Sequence, residues 1–294
     1  MNKNLVVILE NNENWAKRTA ANLPKKLRDT TSFLFIIEDR IGTTHSMINK
    51  IFKNKFDYSI ITSSEIIEYW DKTHTKSDFM HEDTLSSNIL GLWYIKENYP
   101  DVEKVLLLDD DIILHNNFED VFNFDNCLFY KSAFPNEMPK DIKTVTSKNL
   151  KTYWNEFLKV FNWSYTDESW NYIFKHYVCT GTRMIVLNKI DFKYYEQSLI
   201  NFYNSDVFRT VWANRYKNKG RAWFMTEIFE NVVWRDLLNS DLRKNKLCYT
   251  YFGKADKSTD VFISKHSELP ILHIACGKGK LGMYNKLLEL KCIK

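Results

Sequence analysis

Val105–Leu114 reads VLLLDDDIIL: four apolar residues, three consecutive aspartates, then three more apolar residues. A run such as VLLL has the continuous hydrophobicity of a parallel strand buried on both faces. Carboxylates are among the side chains least able to enter such a strand unpaired, so something must compensate them. On an extended chain residues two apart share a face, which lets Asp109 and Asp111 aim at one point while Asp110 turns elsewhere. Two carboxylates converging at a strand end form a hard oxygen site suited to Mg²⁺ or Mn²⁺, completed by waters and ligand phosphates. The competing reading is a solvated acidic turn or helix cap, because Asn116 and Phe118–Phe122 look like a turn entering a short helix.

Upstream, LVVILE (Leu5–Glu10) and SFLFIIED (Ser32–Asp39) are short runs rich in β-branched and aromatic residues, each ending in acid. A polar helical stretch around Trp15–Leu23 separates them, which is a β-α-β beginning. Met47, Ile48 and Ile51 recur at helical spacing within Gly42–Lys53, and YSIIT (Tyr58–Thr62) returns to strand. Leu85, Ile89, Leu92 and Trp93 form one stripe of a helix over Phe79–Asn98, with Pro100 beyond its end, and this helix feeds the strand Lys104–Leu108. Parallel strands flanked by helices make this an α/β chain, and ligands of open α/β sheets collect at the carboxyl ends of the strands. The triple aspartate sits at such an end.

Downstream the pattern is less regular. Strands are expected at Cys127–Tyr130, Met184–Leu187, Cys248–Phe252 and Ile271–His273, and helices near Tyr153–Phe161, Glu168–His176, Tyr194–Tyr203 and Trp223–Leu238. With no repeat or proline-rich linker, residues 1–294 are expected to form one domain.

The 294 residues are 44% hydrophobic and 27% charged, which suits a globular fold with a substantial core, and the 15% aromatic content is high. Only eight glycines occur and no GxGxxG or GxxxxGK[ST] appears, which disfavours a glycine-rich nucleotide loop. Five cysteines without a CxxC pair argue for free thiols rather than a disulfide framework or zinc ribbon. The longest apolar runs are too short to span a bilayer and no secretory signal precedes them, so a soluble, cytoplasmic protein without a transmembrane segment is expected. The net charge of +4 is concentrated late in the chain, in Arg215–Arg221, Asp241–Lys246 and Gly277–Lys280. Such clusters suit phosphate-bearing ligands, or else form a solvated lysine-rich surface.

The run EKVLLLDDDIILHNNFEDVF resembles the DxD region of glycosyltransferases with the GT-A fold, most of all the retaining galactosyl- and glucosyltransferases of family 8. YVCTGTRMIVL (Tyr177–Leu187) resembles the family's glycine-containing strand, with Gly181 in the glycine position and Thr180 and Thr182 replacing its usual neighbours. FMTEIFENVVW (Phe224–Trp234) falls where the family has an acidic segment leading into a helix. LHIACGKGK (Leu272–Lys280) resembles the C-terminal HFxGxxKPW element: His273 and Gly277 fit, and no Pro-Trp follows the lysine. A histidine at a strand end can be the third ligand of a metal held by two aspartates, and lysines in a glycine-rich turn suit a diphosphate.

The resemblance implies a GT-A type, Rossmann-like fold with a mostly parallel mixed sheet flanked by helices, residues 1–114 being the nucleotide-binding half and 115–294 the acceptor and sugar half. It implies transfer of a hexose from a nucleotide-diphosphate sugar, UDP-sugar by family default, to a hydroxyl acceptor with retention, using Mn²⁺ or Mg²⁺. In that scheme Asp109 contacts the donor's ribose or the metal, Asp111 and His273 bind the metal, and Lys278 or Lys280 holds the diphosphate. Glu227 would line the sugar site with Glu230 behind it, or both lie on the polar face of a helix. Glu10 and Asn11–Asn12 would line the base pocket, although ENNEN departs from the family's DxNY. Arg40 and Arg183 could reach phosphate or acceptor, or serve as surface ion-pair partners. The acceptor is expected to be a carbohydrate or small molecule, ahead of a nucleic acid bearing a modified base. A metal-dependent nucleotidyl or phosphoryl transferase is the alternative enzyme class, and a nucleotide-binding module without turnover the non-enzymatic one.

Overall fold

The computed structural model describes residues 3–10, 12–24, 27–53, 56–74, 86–115, 117–132, 178–205, 229–230, 233–234, 245–251, 269–274 and 280–293. Its strands are β1 (Asn4–Glu10), β2 (Thr31–Ile37), β3 (Tyr58–Thr62), β4 (Lys104–Leu108), β5 (Ile112–Leu114), β6 (Leu128–Ser132), β7 (Val178–Val186), β8 (Asn245–Tyr251) and β9 (Ile271–Ile274). The helices are α1 (Glu13–Asn22), α2 (His45–Phe52), α3 (Ser63–Thr73), α4 (Ser86–Asn98), α5 (Phe192–Tyr203) and α6 (Lys280–Glu289). The strands form one mixed sheet in the order β3-β2-β1-β4-β7-β6-β8-β9-β5. β3, β2, β1 and β4 run parallel, while β7 pairs antiparallel with both β4 and β6.

Alternation along the parallel strands explains their unbroken hydrophobicity. Leu5, Val7, Leu34, Ile36, Val105 and Leu107 enter one core with α3, α4 and α5, while Val6, Ile8, Phe33, Phe35, Leu106 and Leu108 enter a second core with α1 and α2. Both faces are covered, so neither set can be polar.

The stretch VLLLDDDIIL is two strands rather than one, and they occupy distant places in the sheet. Leu108 ends β4, fourth in the strand order, and Ile112 begins β5 at the far edge. Five strand spacings of roughly 4.8 Å would separate them by about 24 Å in a flat sheet, yet the four residue steps between them reach at most about 14 Å. The second half of the sheet must therefore curl back, bringing β9 and β5 beside the end of β4.

Local sequence explains the helices. Asn12 caps α1 by accepting from Asn14 N at 2.9 Å, and Thr44 caps α2 by accepting from Met47 N at 3.2 Å. Helix α3, absent from the sequence reading, is opened by a capping box in which Thr62 and Glu65 accept from each other's backbone amides at 3.0 and 2.7 Å. Helix α6 was also not anticipated. The expected helix over Phe79–Asn98 is described from Ser86, so Leu85 lies outside the described residues, as do the segments Tyr153–Phe161 and Glu168–His176 and most of Trp223–Leu238. Cys127 is a free thiol as expected, and burial pushes its pKa up to about 11.

Gly91 shows how tightly α4 meets the sheet: a Cβ there would stand 2.7 Å from Ile36 Cδ1. In an open helix Gly→Ala gains about 1 kcal/mol, whereas overpacking a closed core costs about 1–3 kcal/mol. Ile36 is 1% exposed and has little room to move. Gly91→Ala is expected to lower stability by about 1 kcal/mol in urea unfolding. Combining it with Ile36→Val, which removes the clashing carbon, should cost less than the two single changes together.

Candidate functional site

Strand β4 delivers Asp109, Asp110 and Asp111 at its carboxyl end. Strand β9 delivers His273, which lies opposite Ile112 of β5 and Thr250 of β8. The Ile274 amide donates to the Asp111 carbonyl at 2.9 Å, tying the acidic turn to the histidine strand through the backbone. His273 Nε2 then stands 2.9 Å from Asp111 Oδ1 and 3.5 Å from Asp109 Oδ2. The three side chains offer one ligand atom each, all within 4.8 Å of one another. Asp111 and His273 are each 3% exposed, and Asp109 is half-buried.

This geometry removes the solvated-turn reading. Asp110 is buried as well, and its carbonyl accepts a hydrogen bond from the Thr19 hydroxyl of α1 at 3.5 Å. A converging pair of carboxylates with an imidazole nitrogen, two of the three shielded from water, fits a divalent cation: the oxygens suit Mg²⁺ or Mn²⁺, and the nitrogen is a ligand that Mg²⁺ rarely takes.

The site lies where the strand order turns. β2 and β3 lie on one side of β1 and β4 on the other, and it is at the carboxyl ends of strands at such a turn that open α/β sheets place their ligands. Glu10 ends β1 there, in register with Ile37 of β2. Lys280 is the first residue of α6. Asn11, Lys278, Glu227 and the Arg215–Arg221 cluster lie outside the described residues.

Two other expectations change, those for Arg183 and Glu230, while Arg40 is an ion-pair partner, as one reading had it. Arg183 is not a surface partner. It is wholly buried on β7 and its Nη2 lies 2.5 Å from Glu230 Oε1, with both side chains 1% exposed. Glu230 is therefore engaged in the core. Arg40 is held by Glu38 through Nε–Oε1 at 2.7 Å and Nη2–Oε2 at 2.8 Å. Around that pair the Ser63 hydroxyl donates to Glu38 at 2.7 Å and lies 2.8 Å from Asp39 Oδ1. Burial pushes the Asp39 pKa up, but hydrogen bonds from Ser63 and Ser64 outweigh it and hold the carboxyl below its ordinary range. This polar knot at the ends of β2 and β3 was missed, although the acids closing SFLFIIED marked its place.

Among the described residues no helix is long and apolar enough to cross a membrane. No family model matches the sequence, and no curated protein matches it. Solved structures do resemble its fold. The bifunctional glycosyltransferase WbbM in its apo form aligns with a TM-score of 0.54 at 11% identity, over 92% of this chain and 45% of that one. Mouse xyloside xylosyltransferase 1 in its apo form aligns at 0.49 and 8% identity, over 92% and 97% of the two chains. The galactosyltransferase LgtC, in complex with donor and acceptor sugar analogs, aligns at 0.41 and 12% identity over 92% and 87%. At these identities the likeness is one of architecture, carried by the first comparison. The chain has an α/β fold of the GT-A, Rossmann-like type, with a mostly parallel mixed sheet flanked by helices and an Asp-Asp-His cluster at the strand ends.

Proposed function

We propose that this protein is a metal-dependent glycosyltransferase that moves a hexose from a nucleotide-diphosphate sugar, UDP-sugar foremost, to a hydroxyl of a carbohydrate or small-molecule acceptor, with retention. The observation that supports it most is the convergence of Asp109, Asp111 and His273 at the carboxyl ends of β4 and β9, within 4.8 Å of one another. The architecture shared with a glycosyltransferase points to the same class of chemistry.

Asp111 and His273 would hold the cation, Mn²⁺ or Mg²⁺, and the more exposed Asp109 would complete the protein's share or meet the donor's ribose. Such a cation, when bound, supplies positive charge for the diphosphate as it departs. Lys278 or Lys280 would hold that diphosphate. Glu10 and Asn11, at the end of β1, would contact the base, and Glu227 would line the sugar. Residues 1–114 would then serve the nucleotide and 115–294 the sugar and acceptor.

Thermal unfolding with UDP, GDP and ATP, each with and without Mn²⁺, tests this reading. A diphosphate at about 100 times its Kd should raise the melting temperature by about 4 °C, and only with metal present. A larger shift with ATP would favour the nucleotidyl or phosphoryl transferase class, and no shift with any nucleotide would remove the enzyme reading.

A further inference from the structure

The two halves of the metal cluster come from segments far apart in sequence, and a separate contact outside the cluster joins the elements that carry them. Helix α6 covers β9: Met283, Tyr284 and Leu287 pack with Leu272 and Ile274, the two neighbours of His273, in a small apolar core of their own. Strand alternation leaves His273 on the opposite face. Helix α1 touches the acidic turn, through the Thr19 hydroxyl on the Asp110 carbonyl.

Beside Thr19, Arg18 bridges α1 to α6. Its guanidinium carbon lies 4.7 Å from the Trp15 ring centroid and 5.1 Å from that of Tyr284, and the two rings meet edge to face at 6.0 Å and 88°. Asn22 Nδ2 donates to the Arg18 carbonyl at 2.9 Å and to the Tyr284 hydroxyl at 3.3 Å. A guanidinium over two aromatic rings is a directional contact worth more than the area it covers.

We propose that Arg18, with Trp15 and Tyr284, is a positioning latch: by holding α6 against α1 it fixes His273 relative to Asp109 and Asp111. Arg18 touches neither metal nor substrate in this scheme. The inference rests on reading the Asp-Asp-His cluster as a metal site. A latch can change metal affinity only by the energy it contributes to the competent arrangement, so its effect is bounded by the strength of the contact.

The test compares wild type with Arg18→Met, Arg18→Lys and Tyr284→Leu by two measurements. The first is amide exchange in the metal-free protein, at the Ile274 amide that bonds the Asp111 carbonyl. The second is the Mn²⁺ concentration that gives half of the UDP-dependent rise in melting temperature. Arg18→Met is expected to speed Ile274 exchange about 5- to 30-fold and raise the half-saturating Mn²⁺ by a similar factor. Tyr284→Leu should act alike, and Arg18→Lys, which keeps a cation over the rings, should recover most of both. Unchanged exchange overturns the latch itself. Faster exchange with unchanged half-saturating Mn²⁺ overturns its positioning role. Faster exchange in a protein whose wild type shows no Mn²⁺-dependent response overturns the metal reading and the role built on it.

Discussion

Arg183→Met is expected to lower the free energy of unfolding by about 3–5 kcal/mol, seen as a shift of the urea midpoint with little change in slope. Arg183 stands in the middle of the sheet, in register with Leu107 of β4 and Phe129 of β6, and Glu230 meets it from a helical segment. The surroundings are apolar: Phe129, Tyr195, Phe229, Val233 and Trp234 belong to the same core, and Tyr195 stacks on Trp234 at 5.4 Å. Burial, and then the Glu230 charge, push the Tyr195 phenol upward, so it remains neutral and donates to the Ile89 carbonyl at 2.7 Å. Removing the guanidinium would take away the opposite charge that faces the Glu230 carboxylate in that environment, leaving its desolvation less compensated. Glu230→Gln should lose less, because a neutral amide leaves the arginine with a hydrogen-bond acceptor. The double variant Arg183→Met, Glu230→Leu should recover most of the loss, since a pair replaced by apolar groups of similar volume is often neutral. If both single variants cost under about 1 kcal/mol, the pair is solvated in solution and the buried arrangement is wrong.

That ion pair marks a limit of sequence reasoning. Arg183 lies in a strand whose neighbours Met184 and Ile185 announce burial, but nothing local names a carboxylate forty-seven residues later as its partner. The parallel half of the sheet was legible because two-sided burial writes itself as unbroken apolar runs: β3 and β4 begin and end where YSIIT and KVLLL do. Helix α3 was legible too and went unread, since Thr62 and Glu65 make a capping box three residues apart and Ile66, Ile67 and Trp70 follow at helical spacing. The division of VLLLDDDIIL between a central and an edge strand was not legible, because strand order is decided by pairings with β7 and β9, which arrive from 74 to 161 positions later. The cluster could be assembled from sequence because each of its side chains stands at the end of an apolar run. The latch could not, because Asn22 and Tyr284 are 262 positions apart and each looks like an ordinary helical surface residue.

The cluster itself carries the second large effect. Asp111→Asn is expected to abolish the Mn²⁺-dependent stabilisation by nucleotide and to reduce sugar transfer by about 10³-fold, the several kcal/mol that a positioned cation contributes to a departing phosphate. The fold should survive. Asparagine is nearly isosteric with aspartate, so its side chain can occupy the same place 2.9 Å from His273 Nε2, and its backbone carbonyl keeps the bond from Ile274. Removing one of two carboxylates that converge within 4.8 Å also relieves their mutual repulsion, so the metal-free melting temperature should stay level or rise. This opposite movement of stability and function separates a ligand site from a structural polar cluster, in which the same change would only destabilise. Asp110→Asn serves as the internal control, because the Asp110 contact with Thr19 is made by the backbone carbonyl and persists in the variant. It should leave the half-saturating Mn²⁺ within about threefold of wild type, a difference under 1 kcal/mol. Calorimetric titration of both variants with Mn²⁺ decides the matter: an Asp111→Asn protein that still binds the ion as wild type does would leave the three side chains as a polar cluster with no metal to hold.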